Sequence, residues 1–201
     1  MRIGIFGGSF DPVHEGHLRT IEAAQEKLGL SRVVYVPARQ SPWKDLPQTD
    51  PRHRVAMLGL ALAGHPSWTI SFEELDREPP SFTVDTLRAF ASRWPGDELW
   101  LLMGTDALTG LDRWKEPSEI VRLAHIGAFH REPHVGAGLA LPAVAGLSDQ
   151  LELFDAGSVK ISSTDLRDAL ARGEIPGGRV PAAVAEYITK QGLYGSRVTR
   201  R

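Results

Sequence analysis

Short apolar runs, each bounded by glycine, proline or polar residues, alternate along the 201-residue chain with stretches whose apolar residues recur every three or four positions. The runs are Arg2–Phe6, Arg32–Val36, Trp68–Phe72, Glu98–Met103 and Ala124–Phe129, with shorter candidates at Leu151–Phe154 and Ser158–Ile161. Val33, Val34, Tyr35 and Val36 show the type: a continuous β-branched and aromatic run is what a parallel strand buried on both faces requires. Between the runs, Leu18, Ile21, Ala24 and Leu28 share one face of a helix predicted over about His14–Leu28, with Gly29 as its stop. Asp50-Pro51 reads as an N-cap followed by proline in the first turn of a helix marked by Val55, Leu58 and Leu62. Val84, Leu87, Ala91 and Trp94 predict a helix over Ser81–Trp94, and Pro117–Leu123 a short one. Residues 132–150 have no clear period and read as an irregular connection.

Two last helices, Thr164–Arg172 and Pro181–Gln191, are stopped by Gly173 and Gly192 and form a small C-terminal helical part. The alternation predicts an α/β fold: a Rossmann-like, doubly wound, mainly parallel sheet with helices on both faces. Right-handed crossovers would then place a ligand at the carboxyl ends of the strands. The expected organisation is one domain over residues 1–194, with 195–201 as a disordered basic tail.

Composition excludes several classes of function. A formal net charge of −2 does not make the chain an electrostatic trap for nucleic acid or anionic membranes. The absence of cysteine removes disulfides, thiolate metal sites and cysteine nucleophiles. No apolar run approaches the roughly 20 residues of a membrane span. The first residues read as a strand rather than a signal peptide, so a cytoplasmic protein is expected. Oligomeric state is left open, a homo-oligomer included.

Chemistry concentrates first in Gly7-Gly8-Ser9-Phe10-Asp11-Pro12-Val13-His14-Glu15-Gly16-His17, which leaves the first strand and enters the first helix. The glycines permit tight turns and close approach of a ligand to the main chain. The helix N-terminus offers free N–H groups and a positive dipole end, a suitable seat for phosphate. His14 and His17 are one turn apart and share a face, with the side-chain-free Gly16 between them. Two imidazoles there can stabilise charge that develops on a polyphosphate. The plainer alternative is a ligand-free turn with Ser9 or Asp11 as the helix cap. Neither the Rossmann G-x-G-x-x-G pattern nor the Walker lysine motif is present. No third histidine or carboxylate sits at ligand spacing for a metal.

This run resembles the signature of the nucleotidyltransferase superfamily, whose core is His-x-Gly-His. The longer string from Gly7 to His17 is similar to that of the bacterial nicotinate-nucleotide adenylyltransferases. A second run, Ile161-Ser162-Ser163-Thr164-Asp165-Leu166-Arg167, also opens a predicted helix after a predicted strand. Ser162 and Asp165 match a capping box, which leaves Arg167, one turn on, without an explanation. Hydroxyls, N–H groups and a guanidinium suit a triphosphate. The run resembles the superfamily's second signature, Ile-Ser-Ser-Thr-x-x-Arg, which meets ATP.

The resemblance covers roughly residues 2–131 and 159–194 and implies transfer of AMP from ATP to nicotinate mononucleotide, with Mg²⁺ carried on the ATP phosphates. It assigns ATP contacts to Gly7, Gly8, Ser9 and Phe10, to His14 and His17, to Gly104 and Asp106, and to Ile161, Ser162, Ser163, Thr164 and Arg167. Pro80-Ser81-Phe82-Thr83 resembles the family's Pro-Ser-Tyr-Thr, with Phe82 in the tyrosine position. Gly104-Thr105-Asp106 with Leu111 and Trp114 resembles Gly-x-Asp…Leu-x-x-Trp, the tryptophan stacking on the nicotinate ring. These elements assign Ser81, Thr83, Val84, Trp114 and Lys115 to the acceptor, together with Ser9, Lys44 and Arg131. Pro42-Trp43-Lys44 falls where the family has Pro-His-Lys or Pro-His-Arg, so Lys44 keeps a cation while Trp43 departs from the histidine. His14, His17, Arg167 and Lys44 are the residues expected to act on the reacting phosphates. The closing Tyr187…Gln191-Gly192-Leu193-Tyr194 matches the family's ending and is assigned to packing. Two other readings stay open: an adenylyltransferase for nicotinamide mononucleotide or phosphopantetheine, and a nucleotide-sensing module without turnover.

Overall fold

A computed structural model describes residues 1–40, 49–130, 139–157, 161–174 and 177–196. Six strands, β1 (Arg2–Gly8), β2 (Arg32–Pro37), β3 (Trp68–Ile70), β4 (Glu98–Gly104), β5 (His125–His130) and β6 (Leu151–Asp155), form one parallel sheet in the order β3-β2-β1-β4-β5-β6. The winding direction reverses between β1 and β4, and the crevice at their carboxyl ends is where such sheets take ligands.

Side chains of successive strand residues alternate between two hydrophobic cores. Phe6, Val33, Tyr35, Trp100 and Leu102 face one core; Ile3, Ile5, Val34, Leu99 and Leu101 face the other. The first core is closed by α1 (Glu15–Leu28), α2 (Pro51–Leu62), α7 (Ser163–Ala171) and α8 (Ala182–Gln191), the second by α3 (Thr83–Arg93), α4 (Thr105–Leu108), α5 (Pro117–Leu123) and α6 (Leu147–Gln150). Two glycines let the first layer sit close. A Cβ on Gly4 would lie 2.8 Å from Leu30 Cδ1, and one on Gly127 would lie 2.7 Å from Leu28 Cδ1. Alanine at either site would force the Leu30 or Leu28 side chain to shift.

Local signals explain most boundaries. The Asp50 carboxylate accepts from Arg52 N at 2.8 Å ahead of Pro51, and Gly29 and Gly192 end α1 and α8 at φ +63°. Four expectations need correction. The strand expected over Trp68–Phe72 stops at Ile70. The helix expected from Ser81 begins at Thr83, because Ser81 is buried and Phe82 occupies the cap position. The segment read as irregular contains the one-turn α6. The tail expected from 195 is ordered further: Gly195 closes a 3₁₀ turn over Leu193–Gly195, and the buried Ser196 bonds the Ile188 carbonyl at 3.2 Å. The strand expected at Ser158–Ile161 lies almost wholly outside the described residues, and Ile161 is not in a strand. Among the described residues no helix is long and apolar enough to cross a membrane.

Candidate active site

The turn from β1 into α1 is held in a conformation its own residues disfavour. Phe10 has φ +50°, a left-handed value that a bulky side chain rarely takes. Its ring is buried edge-on against Phe6, with centroids 5.6 Å apart, and that burial holds the backbone. Groups remote in sequence fix the rest of the turn. Arg54, on α2, donates to the Ser9 carbonyl at 2.7 Å and to the Thr49 carbonyl at 3.3 Å. Arg167, on α7, donates to the Asp11 carbonyl at 2.8 Å and to Thr164 Oγ1 at 3.2 Å. Ser163 Oγ donates to the Pro12 carbonyl at 3.0 Å. The Tyr194 hydroxyl donates to Asp11 Oδ1 at 2.5 Å, and Thr49 N–H donates to Oδ2 at 3.4 Å.

Charge is managed inside this cluster. Arg54 is wholly buried. Burial pulls its pKa down, and the fields of Asp11, Tyr194 and Asp50 oppose that pull. Burial, with the hydrogen bond to Asp11 second, pushes the Tyr194 phenol far above its ordinary value, so it stays a neutral donor.

The cap of α1 is His14 (φ −147°, ψ 167°), so neither Ser9 nor Asp11 takes the capping role of the plainer alternative. The His14 N–H donates to His17 Nδ1 at 3.2 Å, which is the returning half of a capping box. Accepting at Nδ1 requires that nitrogen to be unprotonated, so a neutral His17 carries its proton on Nε2 as a donor. The His17 ring is fixed by stacking on His14 (centroids 3.6 Å apart, planes 24° apart) and by an edge contact with Phe10 at 5.2 Å. His14, Gly16 and His17 line a cleft with Phe6, Thr20, Phe129, Ala156, Gly157 and Ile161. Across it, Ser162 caps α7, its Oγ accepting from Asp165 N–H at 3.0 Å. The capping reading of Ser162 therefore holds, and Ser163 and Arg167 are left to bind the first corner.

The acceptor candidates form a second group at the same edge of the sheet. Ser81 N–H donates to the Gln40 carbonyl just beyond β2 at 3.0 Å, and β2 pairs β1 out to Gly8. Val84 is buried in the second core, but its N–H belongs to the first turn of α3, where N–H groups have no acceptor within the helix. Lys115 Nζ sits 4.7 Å from the Phe82 ring centre and 3.0 Å from Asp85 Oδ2. Trp114 is half-buried against the second core, next to the 3₁₀ turn Leu111–Arg113. Asp106 is exposed, and its Oδ1 would lie 2.2 Å from a Cβ placed on Gly104, so only glycine fits there with the carboxylate folded back.

The Cytidylyltransferase-like family model matches residues 5–169, which include both corners. The chain belongs to the cytidylyltransferase-like family. It is 41% identical over 196 residues to a probable nicotinate-nucleotide adenylyltransferase of Thermomicrobium roseum, covering 96% of this chain and 91% of that one. A Thermus thermophilus protein of the same name is 43% identical over 194 residues, covering 96% and 100%. The fold is that of the Plasmodium falciparum nicotinic acid mononucleotide adenylyltransferase complexed with NaAD, at TM-score 0.77, 19% identity and 98% coverage of both chains.

In this cytidylyltransferase-like chain the two signatures meet through side chains of the second bonded to the main chain of the first. Arg167 directs its guanidinium at the Asp11 carbonyl and Thr164 Oγ1, and so clamps the turn. Lys44, Trp43 and Arg131 lie outside the described residues. The sequence reading missed Thr49 and Arg54, assigned Tyr194 to packing alone, and gave Asp11 no role beyond a cap. Arg54 offered one signal, a charged residue on the apolar face that Val55, Leu58 and Leu62 mark.

Proposed function

We propose that the cleft between the two corners binds the ATP phosphates, and that the chain transfers AMP from ATP to nicotinate mononucleotide, yielding nicotinate adenine dinucleotide and pyrophosphate. One observation carries this reading. Ser163 and Arg167 of the second signature hydrogen-bond the main chain of the first at Pro12 and Asp11, beside a cleft lined by His14, His17 and Ile161. The names of the full-length relatives support the choice of acceptor.

In the reaction a phosphate oxygen of nicotinate mononucleotide bonds to the α-phosphorus of ATP as the α–β bridging bond breaks, and pyrophosphate leaves. The attacking phosphate is already an anion, so no general base is needed; the work is positioning and charge stabilisation. His17, neutral with its proton on Nε2, donates to a phosphate oxygen, and His14 stacks it in place. Gly7, Gly8, Ser9 and Phe10 bring main-chain groups to the nucleotide, and Arg167 with Ser162–Thr164 faces the leaving pyrophosphate. Gly104 and Asp106 meet the ribose. Ser81, Thr83, Val84, Trp114 and Lys115 hold the acceptor, Trp114 against the pyridine ring, with Ser9, Lys44 and Arg131 assigned to its phosphate. Mg²⁺ is expected to arrive with ATP. Among the described residues no three His, Asp or Glu side chains gather into a metal site.

Incubating the protein with ATP, Mg²⁺ and nicotinate mononucleotide tests this, with nicotinamide mononucleotide and phosphopantetheine in parallel. Nicotinate adenine dinucleotide and pyrophosphate should form in equal amounts, fastest with the nicotinate acceptor. ATP binding without pyrophosphate release from any acceptor would replace the enzyme with a nucleotide sensor.

A further inference from the structure

The turn that carries Ser9, Phe10 and Asp11 is held in part by the far end of the chain. Asp11 and Tyr194 are 183 residues apart, yet their side chains meet at 2.5 Å, and Asp11 is 2% exposed. A buried carboxylate needs its lone pairs met by donors. Two of the donors are identified here, the Tyr194 hydroxyl and the Thr49 N–H. Arg54 joins the same cluster and holds the Ser9 carbonyl. A peptide plane is rigid and trans, with its C=O and N–H pointing opposite ways. Fixing the Ser9 carbonyl on Arg54 therefore turns the Phe10 N–H away from α2.

Tyr194 is itself held in place. It sits at φ +58° in the Leu193–Gly195 turn, and Ser196 just after it is tied to Ile188 of α8. A second tyrosine of this segment, Tyr187, has its hydroxyl bonded to His53 Nδ1 on α2 at 2.8 Å. The C-terminal segment thus has two hydroxyl anchors. One hydroxyl bonds Asp11 of the Ser9–Pro12 turn and the other bonds His53 of α2.

We propose that Tyr194 is a positioning residue for the ATP site, acting through Asp11 on the Ser9–Pro12 turn, so that the Leu193–Gly195 turn sets the affinity of the phosphate cleft. The inference rests on reading that cleft as the ATP site. It gives a function to a segment that packing alone would otherwise account for.

The test compares Tyr194→Phe with Tyr187→Phe. Each removes one oxygen and keeps its ring. ATP and nicotinate mononucleotide binding are each measured by calorimetry, and KM for both substrates by pyrophosphate release. Tyr194→Phe should weaken ATP binding and raise its KM roughly tenfold, the scale of one lost hydrogen bond to a charged group, while acceptor binding stays within about twofold. Tyr187→Phe should lower the thermal midpoint and leave ATP affinity unchanged. If Tyr194→Phe is too unstable for calorimetry, the rise in its thermal midpoint with added ATP supplies the same readout. Unchanged ATP affinity in Tyr194→Phe, equal weakening toward both ligands, or the same ATP defect in Tyr187→Phe would overturn the proposal. Wild-type protein that binds no ATP would instead overturn the reading of the cleft.

Discussion

The turn after β1 and the start of α3 lie at the same edge of the sheet and are held in opposite ways. Around the turn, one buried and two half-buried side chains bind carbonyl oxygens: Arg54 at Ser9, Arg167 at Asp11, Ser163 at Pro12. Around α3 the ties are mostly between exposed charges, Lys115 with Asp85, and Arg88 with Asp85, Glu116 and Glu119. Buried hydrogen bonds to charged groups are costly to break. Exposed ion pairs are worth little, are screened by salt and rearrange at small cost. The difference matches the two tasks. Phosphoryl transfer demands that reacting atoms be aligned in advance, whereas an acceptor can be enclosed by groups that adjust to it.

The sharpest way to break this comparison is to remove the buried cation. Arg54→Met should cost about 3–5 kcal/mol, because it leaves Asp11 buried without its neighbouring charge and Ser9 without its donor. Urea denaturation would read this directly. A loss below about 1 kcal/mol would put the turn in the same class as the ion pairs of α3. Next in size is His17→Ala. Its fold should persist by circular dichroism while kcat falls on the order of 10²-fold. Near-normal turnover would remove His17 from the chemistry. On the softer side, Trp114→Ala should weaken nicotinate mononucleotide by roughly tenfold, the scale of a cation–aromatic contact, with ATP affinity unchanged. Equal losses would make Trp114 a packing residue of the second core.

What could be read from the sequence follows the same division. The sheet was legible because runs such as Val33–Val36 are continuous, β-branched and aromatic, and the two corners because each signature is contiguous. Arg54 and Tyr194 were not, since a helix residue and a tail residue reveal no shared target 45 and 183 positions away. The start of α3 was misplaced because Ser81 has the chemistry of a cap and the burial of a core residue. α6 escaped notice because four residues cannot display a helical period. Local pattern reveals elements, and contacts between distant elements decide which polar residues are structural.

The smallest effect tests whether the α3 region contains any buried charge that matters. Glu74 is 8% exposed and accepts from Thr86 Oγ1 at 2.9 Å. Burial raises its pKa, against the pull of Thr86 and Arg77. A carboxyl that holds its proton more tightly folded than unfolded favours the folded state only at low pH. That contribution is complete below the unfolded pKa of about 4.3 and is lost as pH rises through the folded value. Glu74→Gln keeps an oxygen for Thr86 and removes the ionisation. It should therefore be at least as stable as wild type at pH 7, by up to about 1 kcal/mol, and the gap should close as pH falls toward 4. A variant less stable at pH 7 would mean that the charge of Glu74 is stabilised more by Arg77 than it is penalised by burial, and α3 would then be anchored by buried charge as the turn is.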